Sequence, residues 1–310
     1  MAFNLENKLV VAVASSALFD LHESDQVFRK QGEEAYRTYQ RDHEDTPLSP
    51  GVAFPLIKRL LNLNSPNNEP VIEVILFSKN DPDTGLRVFK SIEKCKLPIT
   101  RAVFVTGRDP FKYMKAFNAS LFLSGNKDDV QEAILQGLPA GHVVDTPKYE
   151  DDDDDELRIA FDFDGVIADD SSETIYNKVS NITEYFEHEK KHAGESMPEG
   201  PLFKFFQGLS KIQKSELQKE MENEQYQSKI RIALCTARNA PAIERVVTTL
   251  RESDIRLDEA FFLGGIEKSH VLEVYKPHMF FDDQTVHIDS VSKKFPSVHI
   301  PYGIANKTKE

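Results

Sequence analysis

The feature that most restricts the fold is a series of short apolar segments that occurs twice along the chain. Three segments of the first half recur in the second half, each 158 positions later: 74–78 with 232–236, 102–107 with 260–265, and 121–124 with 279–282. Further upstream, residues 9–12 correspond to 157–160, and His43 corresponds to His192. This constant spacing predicts an internal duplication, although any two α/β units share some likeness through their apolar strands.

The apolar segments are continuous, as in strands that are buried on both faces of a parallel sheet. Helical stretches follow them, for example at residues 242–251 and 268–275. Strands that alternate with helices favour an α/β fold. We therefore expect two Rossmann-like parallel-sheet units, in which ligands bind at the carboxyl ends of the strands.

An acidic run at residues 151–156 follows Pro147 and divides the chain nearly in half. A block of like charges is typical of a solvated linker. The length of 310 residues is also comfortable for two domains. The predicted domains are residues 1–147 and 157–310, joined by an acidic linker at 148–156.

Net charge and composition argue against some classes of binding partner. The net charge of −13 argues against a nucleic-acid polymer, because proteins that bind one carry a basic surface. The two cysteines, Cys95 and Cys235, suggest no disulfide framework. The first residues lack a signal-peptide pattern, and no apolar run approaches the roughly 18 residues that span a bilayer. We expect a soluble cytoplasmic protein with no membrane partner.

Two carboxylates, Asp162 and Asp164, directly follow the first predicted strand of the second half. Residues two apart at a strand end point to the same side. Their mutual repulsion requires a counter-ion, and a hard divalent cation with oxygen ligands is the natural one. The alternative, an ordinary turn into Gly165, explains one aspartate easily and two poorly.

The next three predicted strands of the second half also lead into polar residues. Thr236 ends the second, Lys268 follows the third, and Asp282-Asp283 end the fourth. A hydroxyl beside a helix N-terminus can donate to a phosphoryl oxygen, and a simple N-cap is the equally good alternative for Thr236. The paired aspartates are costly to bury unless they hold a metal ion.

This order of Asp-x-Asp, Thr, Lys and Asp-Asp along successive strands resembles the haloacid dehalogenase-like (HAD) phosphatase superfamily. The wider sequence resembles one branch of it, the cytosolic type I 5′-nucleotidases, over nearly the whole chain. The stretches that carry the resemblance are 17–19, 50–55, 106–108, 162–164, 186–190, 200–202 and 277–284.

The resemblance implies a role for each residue of the pattern. Asp162 would be the nucleophile that forms an aspartyl-phosphate, and Asp164 the general acid and then the general base. Mg²⁺ would bind Asp162, the backbone carbonyl of Asp164 and Asp282, with Asp283 as a further ligand through water or an orienting group. Thr236 and Lys268 would hold the transferred phosphoryl group.

The long insertion after the first strand, at about 171–229, is then expected to be a helical cap that excludes water and selects the substrate. Phe203, Phe205 and Phe206 are candidates for stacking on a nucleobase, and the apolar face of a cap helix is the alternative, preferred for at least two of them. Arg238 is a candidate for contact with ribose or phosphate.

A competing motif lies in this insertion. Residues 188–192 match H-E-x-x-H, the helix signature of zinc proteases. The flanks are charged, and no later residue forms a recognisable third-ligand motif. A charged cap helix is the favoured interpretation.

The first half lacks the catalytic pattern. Ala14, Ser16, Ser78, Pro110 and Ser124-Gly125 stand at the positions of Asp162, Asp164, Thr236, Lys268 and Asp282-Asp283. We expect a degenerate copy that is structural or binds a regulatory nucleotide. Its candidate contacts with substrate or effector are Lys79, Asn80 and Arg108.

The leading expectation is a Mg²⁺-dependent enzyme that hydrolyses AMP-like nucleoside 5′-monophosphates. A HAD phosphatase for another small phosphomonoester, such as a sugar phosphate, is the first alternative, because the cap alone decides among substrates. A nucleotide sensor without turnover is the second, and the intact Asp164 argues against it. A nucleotide effector and a homo-oligomer are further partners left open.

Overall fold

The computed structural model describes residues 4–65, 69–147, 154–178 and 181–306. The chain divides into two compact units, Met1–Val143 and Val144–Glu310. Most of the predicted linker, residues 148–153, lies outside the described residues, as do residues 179–180 of the predicted cap.

The first unit alternates strands and helices around a parallel sheet in the order β3-β2-β1-β4-β5. Its strands are β1 (Leu9–Ala14), β2 (Ile72–Ser78), β3 (Arg101–Phe104), β4 (Leu121–Ser124) and β5 (Ala140–Val144). Its helices are α1 (Ser15–Leu18), α2 (His22–Gln31), α3 (Glu33–Asp42), α4 (Phe54–Asn62), α5 (Pro82–Lys94) and α6 (Lys127–Leu135), with a 3₁₀ helix at Pro110–Phe117.

The second unit has a parallel sheet in the order β10-β9-β6-β7-β8. Its strands are β6 (Leu157–Phe161), β7 (Ile230–Thr236), β8 (Glu259–Phe262), β9 (Met279–Asp282) and β10 (Ser297–His299). Its helices are α7 (Ser171–Lys178), α8 (Ile182–Lys191), α9 (Phe203–Glu222), α10 (Ile243–Glu252), α11 (Lys268–Tyr275) and α12 (Thr285–Val291), with a 3₁₀ helix at Ile304–Asn306.

The two units share strand order and register. In chain order, the strands of each unit lie as third, second, first, fourth and fifth across the sheet. Val11 of β1 pairs with Leu121 of β4, and Ile159 of β6 pairs with Met279 of β9. These are the residues that the sequence spacing makes equivalent, and the β1–β2 and β6–β7 pairs agree in the same way.

The central strands are buried along their whole length, which explains their continuous apolar sequences. In the second unit Phe161 of β6 stacks on Phe281 of β9 with ring centroids 4.9 Å apart, and Phe206 of α9 packs edge-on against Phe161. Burying each such ring contributes about 1.5–3 kcal/mol. This packing holds the ends of β6 and β9 side by side, where the polar residues lie.

The α/β class and its parallel strands agree with the sequence prediction. The helix predicted at 268–275 is observed as α11, and the one predicted at 242–251 is observed as α10, shifted by one residue. Two strands, β5 and β10, were not predicted. β5 contains a glycine and a histidine and β10 has three residues, so neither offers the long apolar run that the prediction relied on.

Candidate active site

The carboxyl ends of β6, β7 and β9 bring the predicted residues together. β6 pairs with both β7 and β9. Asp162 directly follows β6, and Thr236 and Asp282 are the last residues of β7 and β9, so all three lie at the ends of adjacent strands. Lys268, the first residue of α11, reaches the same place from the end of β8. All four side chains are buried. Such strand ends are where ligands bind in open parallel sheets.

Three buried aspartates of the site form an acidic trio. One carboxylate oxygen each from Asp162, Asp282 and Asp283 lies within 4.8 Å of the others. Both oxygens of Asp283 are buried and accept no hydrogen bond from the described residues. Unpaired buried carboxylate oxygens are costly, and hard divalent cations take oxygen ligands of this kind. The residues therefore fit a divalent metal ion.

Lys268 supplies part of the charge balance. Its Nζ lies 2.6 Å from Asp282 Oδ2 and 3.0 Å from Asp162 Oδ1. Burial by itself would lower the pKa of Lys268, but the charges of Asp162 and Asp282 outweigh burial and raise it. The ammonium group therefore stays protonated and bridges the two aspartates.

One ammonium does not balance the cluster. Burial raises the pKa of Asp162, and the neighbouring carboxylates Asp282 and Asp164 raise it further. The pKa of Asp283 is also raised. Burial is the largest cause, and the charges of Asp282 and Asp162 raise this pKa further. Glu173 of α7 joins this group: burial and the charges of Asp164 and Asp162 raise its pKa to about 7. Excess negative charge in a buried pocket is a second reason to expect a cation there.

The turn after β6 allows the carboxylates to approach one another. Gly165 has φ +71°, a left-handed conformation that favours glycine. A Cβ atom on Gly165 would lie 2.5 Å from Asp283 Cγ. The position therefore favours glycine for its backbone angle, and a larger residue there would displace the Asp283 carboxylate.

Asp164 is held by a single arginine. Arg238 donates from Nε to Asp164 Oδ2 and from Nη2 to Asp164 Oδ1, both at 2.7 Å. Its Nη1 donates to Glu189 Oε2 at 2.5 Å and to the Ala242 carbonyl at 3.4 Å, and Nη2 also contacts Met197 Sδ at 3.1 Å. All five N–H groups are therefore engaged, and the predicted contact with ribose or phosphate would need one of these bonds to break.

Glu189 of α8 is the glutamate of the H-E-x-x-H motif. Its side chain is fully buried and contacts two arginines. Besides Arg238 it accepts hydrogen bonds from Arg245 Nη1 at 3.1 Å and Ser172 Oγ at 3.1 Å. Burial raises its pKa, but the two guanidinium groups outweigh burial, and the pKa lies below its ordinary value. In the described part of the chain the acidic trio is the one group placed to hold a metal ion, and His188 and His192 do not belong to it.

Thr236 lies in the site but serves the backbone as well. Its Oγ1 accepts a hydrogen bond from the Arg238 N–H at 3.2 Å within the loop after β7. The N-cap alternative for Thr236 is wrong, because α10 begins only at Ile243 and its N-cap residue is Ala242. An accepting hydroxyl can still donate its own proton, so this contact and a phosphoryl contact are compatible.

Phe203 and Phe206 lie at the start of α9, and both are buried. Phe206 packs on Phe161, and Phe205 lies 6.1–6.2 Å from the rings of Phe161 and Phe281. This is the apolar helix face that was the alternative to nucleobase stacking. The structure places these rings in the core of the second unit.

The candidate residues of the first unit lie at its own strand ends. Lys79 forms an ion pair with Asp129 and lies 3.8 Å from Asp109. Asn80 accepts a hydrogen bond from Tyr36 through Oδ1 at 3.1 Å, whereas its Nδ2 is buried without a partner among the described residues. Arg108 is exposed in the turn after β3.

Sequence reasoning missed three residues of the second-unit site: Glu173, Glu189 and Arg245. All three belong to helices, and their role depends on which side chain they face across the fold. Only Glu189 lay within a noticed motif, H-E-x-x-H, and that motif pointed to zinc instead.

Two comparisons with known proteins gave matches. A family model described as 5′-nucleotidase matches residues 1–307. The human protein cytosolic 5′-nucleotidase 1B is 32% identical over 295 residues, which cover 93% of this chain and 48% of that protein. The chain thus spans about half the length of this relative. No solved structure matches.

Proposed function

Because the chain belongs to the 5′-nucleotidase family, we propose that it hydrolyses nucleoside 5′-monophosphates such as AMP to nucleoside and inorganic phosphate. The observation that best supports this function is the buried cluster of Asp162, Asp282, Asp283 and Lys268, with both Asp283 oxygens unpaired. A buried site that combines acidic and basic groups fits the anchoring of a phosphate through a metal ion and an ammonium group.

In the proposed reaction Asp162 is the nucleophile. Its carboxylate attacks phosphorus, the bond from phosphorus to the ribose 5′ oxygen breaks, and an aspartyl-phosphate forms. Water then attacks this phosphorus and restores the carboxylate. The side chains of Asp162, Asp282 and Asp283 and the carbonyl of Asp164 would hold Mg²⁺, which when bound supplies positive charge for the phosphoryl oxygens.

Asp164 handles the protons in both steps. It donates one to the leaving 5′ oxygen and later removes one from the attacking water. Its side chain is 18% exposed, so solvent can reach it while Arg238 holds both of its oxygens. Thr236 and Lys268 would hold the equatorial phosphoryl oxygens and limit the charge that develops on them.

The architecture belongs to the same proposal. We propose a HAD-like second unit in which residues 171–229, including α7, α8 and α9, act as a cap over the site. The first unit would be a duplicated copy that lost catalysis, which its shared strand order and register support. Lys79, Asn80 and Arg108 would then serve a structural or effector-binding role.

Location and partners are also proposals. The name of the human relative suggests the cytosol. No helix in the described residues is both long and apolar enough to cross a membrane. A nucleotide effector and a second copy of the chain are the further partners that this proposal includes.

Phosphate release tests this function. Wild-type protein, Asp162→Asn and the control Asp155→Asn, an exposed acidic residue, are assayed on nucleoside 5′-monophosphates and sugar phosphates, with Mg²⁺ and with EDTA. We expect release from nucleotides with Mg²⁺ only, a loss of at least 10³-fold in Asp162→Asn, and wild-type rates in Asp155→Asn. Release from sugar phosphates alone would contradict the substrate, and release from nothing would favour a sensor.

A further inference from the structure

The two units offer an internal comparison, because each holds a buried arginine at the same place. Arg87 of α5 and Arg245 of α10 are 158 positions apart. Arg87 Nε donates to the carbonyl of Thr46 at 3.1 Å, and Arg245 Nε donates to the carbonyl of Glu195 at 3.3 Å. Thr46 and Glu195 are 149 positions apart, the spacing of this part of the repeat. The contact that ties helix to loop is therefore the same in both units.

The second contact of each arginine differs in charge. Arg87 Nη1 donates to Gln40 Oε1 at 3.2 Å, and Arg245 Nη1 donates to Glu189 Oε1 at 3.1 Å. Gln40 and Glu189 are again 149 positions apart, and both are buried. An amide thus serves this contact in the first unit. The carboxylate of Glu189 is not needed to hold the helix.

The charged residues that Glu189 contacts occur only in the second unit. Glu189 also binds Arg238, whose equivalent in the first unit is Asn80, and Arg238 binds Asp164, whose equivalent is Ser16. Glu189, Arg238 and Asp164 therefore occur together in one unit, and none of the three charges occurs in the other. The contacts of the buried arginine are common to both units. The series of ion pairs from Glu189 through Arg238 to Asp164 occurs only in the unit that has the acidic site.

We propose that Arg238 and Glu189 are positioning residues for Asp164, so that a chain of two ion pairs from helix α8 orients the catalytic acid; this inference rests on the function proposed above. Two parallel N–H···O bonds from a planar guanidinium fix both the position and the plane of a carboxylate. Each Asp164 oxygen keeps a second lone pair to carry the transferred proton. Glu189 in turn fixes Arg238 from a position without solvent access.

A pair of esters with different leaving groups tests this role. AMP needs a proton on its departing 5′ oxygen, whereas the analogue with sulfur in place of that oxygen departs as a thiolate without one, since a thiol has a pKa of about 8.5. We expect Glu189→Gln and Arg238→Lys to lower kcat/KM for AMP by about 10- to 100-fold. For the sulfur analogue, the same variants should change kcat/KM less than about threefold. A role in folding alone would lower both values equally.

Asp164→Asn and Gln40→Ala provide the controls. Asp164→Asn should show the largest selective loss for AMP, and adding Glu189→Gln to it should cost less than about threefold more, because the two act through one step. Gln40→Ala, which breaks the equivalent contact in the first unit, should leave the ratio of the two esters unchanged. The amide at position 189 copies the natural Gln40 contact, so this variant is expected to fold.

Two results would overturn the proposal. Equal losses for both esters, or no loss in Glu189→Gln and Arg238→Lys, would show that the chain of ion pairs only supports the fold. In that case the wild type still releases phosphate from AMP, and the proposed function stands. Wild-type protein that releases phosphate from neither ester, under the Mg²⁺ conditions above, would overturn both proposals.

Discussion

At the scale of single residues, the site gathers more negative charge than its one lysine balances. Asp283 shows this most clearly, because its two buried oxygens have no partner among the described residues. Glu173 extends the same field toward α7, and it contacts Gln284 at 3.3 Å through one oxygen only. Without a metal ion, such a cluster is relieved by taking up protons.

Glu173 therefore predicts how stability depends on pH in the absence of metal. Its pKa is raised from 4.5 to about 7, so the folded protein keeps a proton that the unfolded chain releases. The stabilisation is complete below pH 4.5 and is lost as the pH rises through 7. In EDTA, the melting temperature of wild type should fall from pH 5 to pH 8 more steeply than that of Glu173→Gln. Parallel curves for the two proteins would contradict this assignment.

At the scale of elements, helix α9 joins the insertion to the core of the second unit. Its first turn buries Phe203, Phe205 and Phe206, and Phe206 fills the space against Phe161. The helix then runs to Glu222, where Met221 is 80% exposed. Its apolar start thus belongs to the packing, while its end lies in solvent.

We expect Phe206→Ala to act on stability. Removing a buried ring should lower the free energy of unfolding by about 3–5 kcal/mol, and KM for AMP should change less than about threefold. Denaturant unfolding and steady-state kinetics measure the two effects. Met221→Ala on the same helix is the matched control and should change neither. A large rise in KM with little loss of stability would instead support stacking of Phe206 on a nucleobase.

The sequence predicted the strands and the order of polar residues well, because both depend on local pattern. The end of β6, with Asp162 and Asp164, could be placed at the carboxyl edge from its position alone. The partners of Asp164 could not be, because Glu189 reaches it through Arg238 from a helix 25 positions further along the chain. Short strands such as β10 escaped for the opposite reason, since three residues carry too little pattern.

At the scale of the whole molecule, the two units keep the same framework and differ in chemistry. Polar contacts recur as well as strands: Asn80 N–H donates to Ser78 Oγ in the first unit, and Arg238 N–H donates to Thr236 Oγ1 in the second, both at 3.2 Å. This backbone contact at the end of the second strand is therefore common to both units, whereas Ala14, Ser16 and Ser124 replace the aspartates in the first unit. The basic residues Lys79 and Arg108 lie at this end.

A double substitution tests whether this strand end of the first unit binds an effector. An added nucleoside di- or triphosphate is expected to change the rate of AMP hydrolysis. In the Lys79→Ala, Arg108→Ala double variant, the concentration that gives half of this effect should rise about tenfold, because two charge-assisted contacts are removed. Rates without the added nucleotide should be unchanged. Lys58→Ala, at an exposed position of α4, is the control. If the double variant responds to nucleotides as wild type does, the first unit is purely structural.

Lys268 and the aspartates around it also constrain how such a site can be dismantled over evolutionary time. Removing the lysine first would leave several carboxylates facing one another in a buried space, and removing the aspartates first would strand a buried ammonium group. Either single step is strongly unfavourable, so the substitutions are expected to be mutually dependent. Under the proposed duplication, the first unit, with Pro110, Ala14 and Ser124 at these positions, would be the end point of such a coupled loss. Building such a site there would require charges of both signs to be introduced together.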